Sequence, residues 1–174
     1  MFKNIKIEGF RGIKHLEIDG FKQINLFVGE NNCSKTSILE ALFLSIGPTN
    51  PELPLRLNNF RKLTQIDESS LILLFNKLDI NSNISISSEL SDAIAKRNLI
   101  IKPNIEAITD TMTRISINKE SLDIKGSYSG LSPSIDGLIL EYSFSKRKDK
   151  KIKKITTKVI TQRQGINFIV PQDY

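Results

Sequence analysis

Residues 24–47 read Ile24-Asn25-Leu26-Phe27-Val28, then Gly29-Glu30-Asn31-Asn32-Cys33-Ser34-Lys35-Thr36, then SILEALFLSIG. The first five are nearly continuous apolar sequence, which suits a central strand covered on both faces. In the last eleven, Ile38, Leu39, Ala41, Leu42, Phe43, Leu44 and Ile46 surround most of a helical circumference, so a mostly buried helix is expected, and Gly47-Pro48 stops the run. The loop between them follows the phosphate-loop pattern G-x-x-x-x-G-K-[ST] with one departure, Ser34 in place of the second glycine. A helix N-terminus offers unpaired N–H groups and the positive end of a dipole to an anion. Folded as a nest of donors, the amides of Asn31, Asn32, Cys33, Ser34, Lys35 and Thr36, running into Ser37, would cradle phosphates. Lys35 would meet the β- and γ-phosphates, the Thr36 hydroxyl would bind Mg²⁺, and Gly29 would permit the sharp turn out of the strand. Serine is the next smallest polar choice at position 34, admitted at some cost in affinity.

On the N-terminal side, Phe2 to Phe10 alternates as a strand does, His15 to Ile18 reads as a second strand, and Asp19-Gly20 as its turn. On the other side, residues 48–62 are rich in Pro and Asn and read as loop. Asp67-Glu68-Ser69-Ser70 reads as a helix start before LILLFNKL, and Ser91 to Arg97 as a short helix. Beyond residue 83, NISISSEL, RNLIIKP, TRISINKE, LDIKGSY, GLILEYSFSK, KKITTKVITQ and GINFIV read as short alternating strands. The expected fold is α/β: a P-loop NTPase lobe with a mixed sheet and an added antiparallel β region. Residues 1–174 would form one lobe, divided into strands, loop and first helix (1–47), a loop and helical insert (48–82) and a mainly antiparallel region (83–174).

The composition excludes several chemistries. The 174 residues are 39% apolar and 25% charged, ordinary for a globular chain. One cysteine and one histidine allow no internal disulfide and no zinc cluster, and no motif supports a triad through His15. Lys3, Lys6, Glu8 and Arg11 interrupt the region where a signal peptide needs apolar sequence, so a cytoplasmic protein without membrane attachment is expected. The net charge of +6 is concentrated: Lys146, Arg147, Lys148, Lys150, Lys151, Lys153 and Lys154, against Asp149, carry all of it. That cluster falls between two expected strands, where a hairpin tip could contact nucleic-acid phosphates without sequence preference.

The stretch FKNIKIEGFRGIKHLEIDGFKQINLFVGENNCSKTSILEAL resembles the N-terminus of RecF/SMC-type ABC ATPases. Phe10-Arg11-Gly12, Asn25 and Gly29-Glu30-Asn31-Asn32 match that family's pattern, and the closest flavour is the stand-alone AAA-like/OLD-type group found in DNA repair and phage defence. LRLNNFRKL followed by DESSLILLFNKLD is also similar to that group. The resemblance is strong over about residues 1–47 and weaker to about residue 103. It implies ATP and Mg²⁺ as cofactors, Arg11 near the nucleotide, and Gln172 (in Phe168-Ile169-Val170-Pro171-Gln172) near Mg²⁺ and the attacking water.

Phosphoryl transfer needs further groups held in place together. Asp67-Glu68 follows Thr64-Gln65-Ile66, which is no apolar strand, and Leu138-Ile139-Leu140-Glu141 lacks the Asp of the family's Asp-Glu strand. Tyr128-Ser129-Gly130-Leu131 is a poor stand-in for the signature motif, and His15 comes too early for the switch histidine. The expectation is therefore an ATP-binding N-terminal lobe acting in DNA repair or phage defence, with no catalytic residue of its own and little hydrolysis alone. A C-terminal lobe or dimer partner would complete it, and DNA is a further partner. The competing reading is a non-catalytic nucleic-acid- or protein-binding module with a degenerate phosphate loop.

Overall fold

Two-residue periodicity builds the sheet. In β1 (Phe2–Phe10), Ile5 and Ile7 are buried while Asn4, Lys6 and Glu8 lie on the other face. A computed structural model describes residues 1–47, 49–62, 68–91, 94–105, 135–146, 152–162 and 165–169. Strand β1 turns through Arg11-Gly12 into β2 (Ile13–Asp19), pairing Lys6 with Glu17 and Glu8 with His15. On its other side β1 meets β3 (Ile84–Leu90), which is followed in the sheet by β4 (Ile94–Asn104), β5 (Gly137–Lys146), β6 (Ile152–Gln162) and β7 (Gly165–Ile169). The order is β2-β1-β3-β4-β5-β6-β7, and every pairing is antiparallel.

One face of this sheet carries the core: Ile5, Ile7, Ile84, Ile86, Leu99, Ile101, Leu138, Leu140 and Val159. Across from it lie α1 (Lys35–Ile46), α2 (Leu53–Phe60) and α3 (Glu68–Ile72), contributing Ala41, Leu44, Leu55, Leu57 and Leu71, with Leu74 and Phe75 following. Each aliphatic side chain so buried stabilises the fold by about 1.5–3 kcal/mol. Among the described residues, no helix is long and apolar enough to cross a membrane.

Four expectations are corrected. Residues 24–28 form no strand: Ile24, Leu26 and Val28 are 89%, 83% and 78% exposed, and only Phe27 packs against the core. A strand needs a neighbour to take its backbone hydrogen bonds, and no described strand lies beside this segment, so the sheet is antiparallel rather than mixed. Residues 48–62 are not all loop, because Pro54 sits at the start of α2, where its missing N–H costs nothing. The helix expected over Ser91 to Arg97 gives way to strand from Ile94, where β4 begins, and the pairing of β4 with Glu89 and Ser88 of β3 overrides the helix preference of Lys and Arg. Helix α1 is buried on one face only, through Ser37, Glu40, Ala41, Leu44 and Ser45, while Leu39 and Ile46 are exposed. The expected strands at TRISINKE and LDIKGSY, together with Asp67, Tyr128-Ser129-Gly130-Leu131 and Gln172, lie outside the described residues.

Candidate functional site

Helix α1 presents the loop, and three contacts along its length fix it. At the C-terminal end, Arg97 Nη1 donates to the carbonyls of Ser45 and Ile46, both at 3.3 Å, which satisfies orphan acceptors and complements the dipole. Nearby, the buried hydroxyls of Ser45 and Ser88 hydrogen-bond at 2.6 Å. Toward the N-terminal end the buried Glu40 carboxylate is held by two arginines. Its Oε2 lies 2.8 Å from Arg11 Nε, and Arg61 donates from Nε to Oε1 at 2.7 Å and from Nη2 to Oε2 at 2.9 Å. A buried carboxylate without such partners would be strongly destabilising.

The helix begins beyond Ser34, which has φ 65° and ψ 15° and makes no capping hydrogen bond. The left-handed region costs a non-glycine residue roughly 1–2 kcal/mol. Ser34 O accepts the first helical bond from Ile38 N at 3.1 Å. The N–H groups at the start of such a helix have no acceptor within it and point outward. The Ser34 hydroxyl lies against Gly12 of the β1–β2 turn, where a Cβ would overlap Oγ. Glycine at position 12 thus makes room for serine at position 34. Gly29, at φ 153°, leaves the chain so close to Cys33 that a Cβ would stand 2.9 Å from Sγ. Lys35 folds back over the loop and donates from Nζ to the carbonyls of Gly29 at 2.8 Å and Glu30 at 2.6 Å.

The loop opens onto a cavity of about 780 Å³. Asn31, Asn32, Cys33, Ser34, Lys35, Thr36 and Ser37 line one side, Arg11 and Gly12 the base, and Arg61, Leu73, Phe75, Lys77 and Leu78 the rest. Most of the residues singled out by motif and resemblance therefore share one cavity, while Gly29 does not line it. Five described non-glycine residues with positive φ line it: Arg11, Asn32, Ser34, Lys77 and Leu78. Strained backbone of this kind gathers at functional sites. Burial pushes the Arg11 guanidinium below its ordinary pKa, opposed by the charge of Glu40, whereas the Glu40 hydrogen bond holds Arg61 above its own.

The basic cluster lies elsewhere. Lys153 pairs with Phe144, and Phe144 pairs with Arg97, the residue at the C-terminal end of α1. Lys146, Lys153 and Lys154 are exposed at that end of the β5–β6 pair, while Arg147, Lys148, Lys150 and Lys151 are outside the described residues. The twelve residues of α1, about 18 Å at 1.5 Å per residue, separate the two features. Glu40, Arg61 and Lys77 were not among the expected site residues. A lone acid inside the apolar run SILEALFLSI was the available signal, because its burial requires a cation nearby.

A family model described as "Protein of unknown function (DUF2813)" matches residues 1–92. An "ATP/GTP phosphatase" of Helicobacter pylori is 33% identical over 96 residues, covering 53% of this chain and 25% of that protein. The DNA replication and repair protein RecF of Clostridium kluyveri is 31% identical over 113 residues, covering 57% of this chain and 31% of that protein. RecF of Francisella tularensis subsp. novicida is 28% identical over 124 residues, covering 70% and 34%. The chain thus spans between a quarter and about a third of the length of these relatives.

Proposed function

The chain belongs to the DUF2813 family, and from that premise we propose that it supplies the phosphate-binding part of a RecF-like ATPase. The observation that carries this reading is the meeting of motif and cavity. Residues 31–36 of the loop, Lys35 among them, and the uncapped start of α1 open together onto a cavity of about 780 Å³. In that role Lys35 exchanges the carbonyls of Gly29 and Glu30 for phosphate oxygens, and the amides of residues 31–37 cradle the anion. Thr36 would give Mg²⁺ one hydroxyl, phosphate oxygens and water would take further positions, and the Gln172 that the resemblance implies would stand near the ion. The ion would neutralise the developing charge of the phosphates.

The same reading assigns the rest of the ATPase as partner. Its support is the Ile24–Val28 segment, whose aliphatic side chains stand in solvent beside the loop they lead into. A strand laid against that segment would complete its backbone hydrogen bonds and cover those side chains. Action with DNA is part of the proposal, since two of the relatives are named for DNA replication and repair, and the exposed Lys146, Lys153 and Lys154 offer a phosphate-seeking surface. The test is Mg-ATP titration by calorimetry on the wild type and Lys35→Ala. Saturable binding by the wild type that Lys35→Ala removes is the expected result. Equal binding by both, or binding by neither while circular dichroism shows both folded, overturns it.

A further inference from the structure

Four cationic side chains line the cavity: Arg11, Lys35, Arg61 and Lys77. They differ in what already holds them. Arg11 is 9% exposed; its Nη2 donates to the fully buried Asn58 at 3.2 Å, its Nη1 to Leu73 O at 3.5 Å, and its Nε faces Glu40 at 2.8 Å. All three of its nitrogens are turned into the protein. Arg61 is different. Its side chain is 37% exposed, and it grips Glu40 along the single edge formed by Nε and Nη2. Nη2 also reaches Ser37 Oγ at 3.4 Å, beside the first turn of α1. A guanidinium is a planar fork of five donors, so an edge-on carboxylate leaves the Nη1 side pointing away. Nη1 has no hydrogen-bond partner among the described residues.

The backbone fixes this aim as well. Arg61 follows α2 directly, and its N–H bonds to Asn58 O at 3.0 Å. Glu40 has both oxygens taken by arginines, so the trio of Arg11, Glu40 and Arg61 carries one net positive charge next to the loop.

We propose that Arg61 is a second phosphate-binding side chain of this site, that Glu40 is the positioning residue that aims it, and that Arg11 serves to neutralise and seat Glu40. This rests on the nucleotide-binding reading above and names the part of the ligand that Arg61 takes: the polyphosphate tail, not the base. A charge-assisted hydrogen bond from a planar fork is about twice as strong as a neutral one and geometrically selective.

The test titrates the full chain with Mg-ATP and, separately, with inorganic tripolyphosphate, at two salt concentrations. Arg61→Ala is expected to weaken both ligands at least tenfold and to flatten the salt dependence of affinity. Glu40→Gln, which keeps the shape but loses the paired charge, is expected to weaken both severalfold with Arg61 still present. Should Arg61→Ala fail to fold, Arg61→Gln keeps the side-chain stem and carries the same expectation. Affinity within twofold of wild type for both ligands in the Arg61 variant, while Lys35→Ala abolishes binding, overturns the proposal and leaves the phosphate-loop reading intact. Loss toward ATP with tripolyphosphate unchanged also overturns it, because Arg61 would then recognise the base. An unaffected Glu40→Gln overturns the positioning role. Absence of binding by the wild type overturns the nucleotide reading, and this inference with it.

Discussion

Gly12 and Ser34 offer a sharp test of how a serine is tolerated in this loop. Gly12 is exposed and is not among the residues with positive φ, so alanine fits its backbone. Elsewhere such a change would stabilise by about 0.4–1 kcal/mol through the unfolded chain. Here the new methyl would overlap Ser34 Oγ, while Ser34 Cβ, at 3.7 Å, is in ordinary contact. Only the hydroxyl has to move, so the cost is that of a forced side-chain torsion, about 0.5–1.5 kcal/mol. Gly12→Ala alone should therefore leave thermal stability almost unchanged. Ser34→Gly alone sheds a left-handed strain of about 1–2 kcal/mol, offset in part by roughly 0.5–1 kcal/mol of glycine chain entropy. In the double variant the alanine meets no hydroxyl, and its full benefit should appear. The coupling between the two positions should equal the torsional cost, read as roughly 1–6 °C in midpoint for a chain of this size. Thermal denaturation of the four proteins by circular dichroism measures it, with Mg-ATP titration of the same set as a second readout. The reasoning fails if Gly12→Ala has the same effect in both backgrounds, that is, a coupling below about 0.3 kcal/mol.

Two further outcomes are expected. Leu26→Lys with Val28→Lys should change the stability of this chain by no more than about 0.5 kcal/mol, because both positions are exposed, and amides 24–28 should exchange quickly; slow exchange or a larger loss would show that the segment is packed. Tyr142 is buried and stacked on Phe144 at 5.3 Å, and burial holds its phenol above the usual value of 10.0. Its raised folded pKa makes its contribution complete below pH 10.0 and lost as pH rises toward the folded value, so Tyr142→Phe should lose less stability in that alkaline range than wild type. Parallel alkaline limbs in urea denaturation would contradict this.

The sequence made most strands legible because inward and outward residues alternate strictly, as Ile84, Ile86, Ser85 and Ser87 do in β3. The spacing Gly29 to Thr36 marked a segment whose residues 31–36 do line one cavity at the start of α1. The sequence hid what depends on distant partners. The segment Ser91–Arg97 has local helix preference, and only pairing with β3 and β5 makes its latter part a strand. Asn58 looks like a loop residue, yet it is fully buried, donating to Ser70 O at 2.8 Å and accepting from Arg11. Arg61 lies 21 residues from the acid that aims it, with nothing in the intervening sequence to join them.

Ile24–Val28 shows where the loop's position comes from. In the sequence this apolar segment reads as the strand that delivers Gly29. In the fold it contributes one packed side chain, Phe27, and leaves three aliphatic side chains in water. Each forgoes a large part of the roughly 1.5–3 kcal/mol that burial would give, so the segment cannot be what holds the loop. The holding is done from the helix side: Arg97 and the Ser45–Ser88 bond at one end of α1, Leu44 and Ala41 in the middle, and the Arg11–Glu40–Arg61 trio beside the first turn. A loop anchored through its helix keeps its place while the segment leading into it stays open. A strand added alongside residues 24–28 would then meet a loop already held in place by its helix.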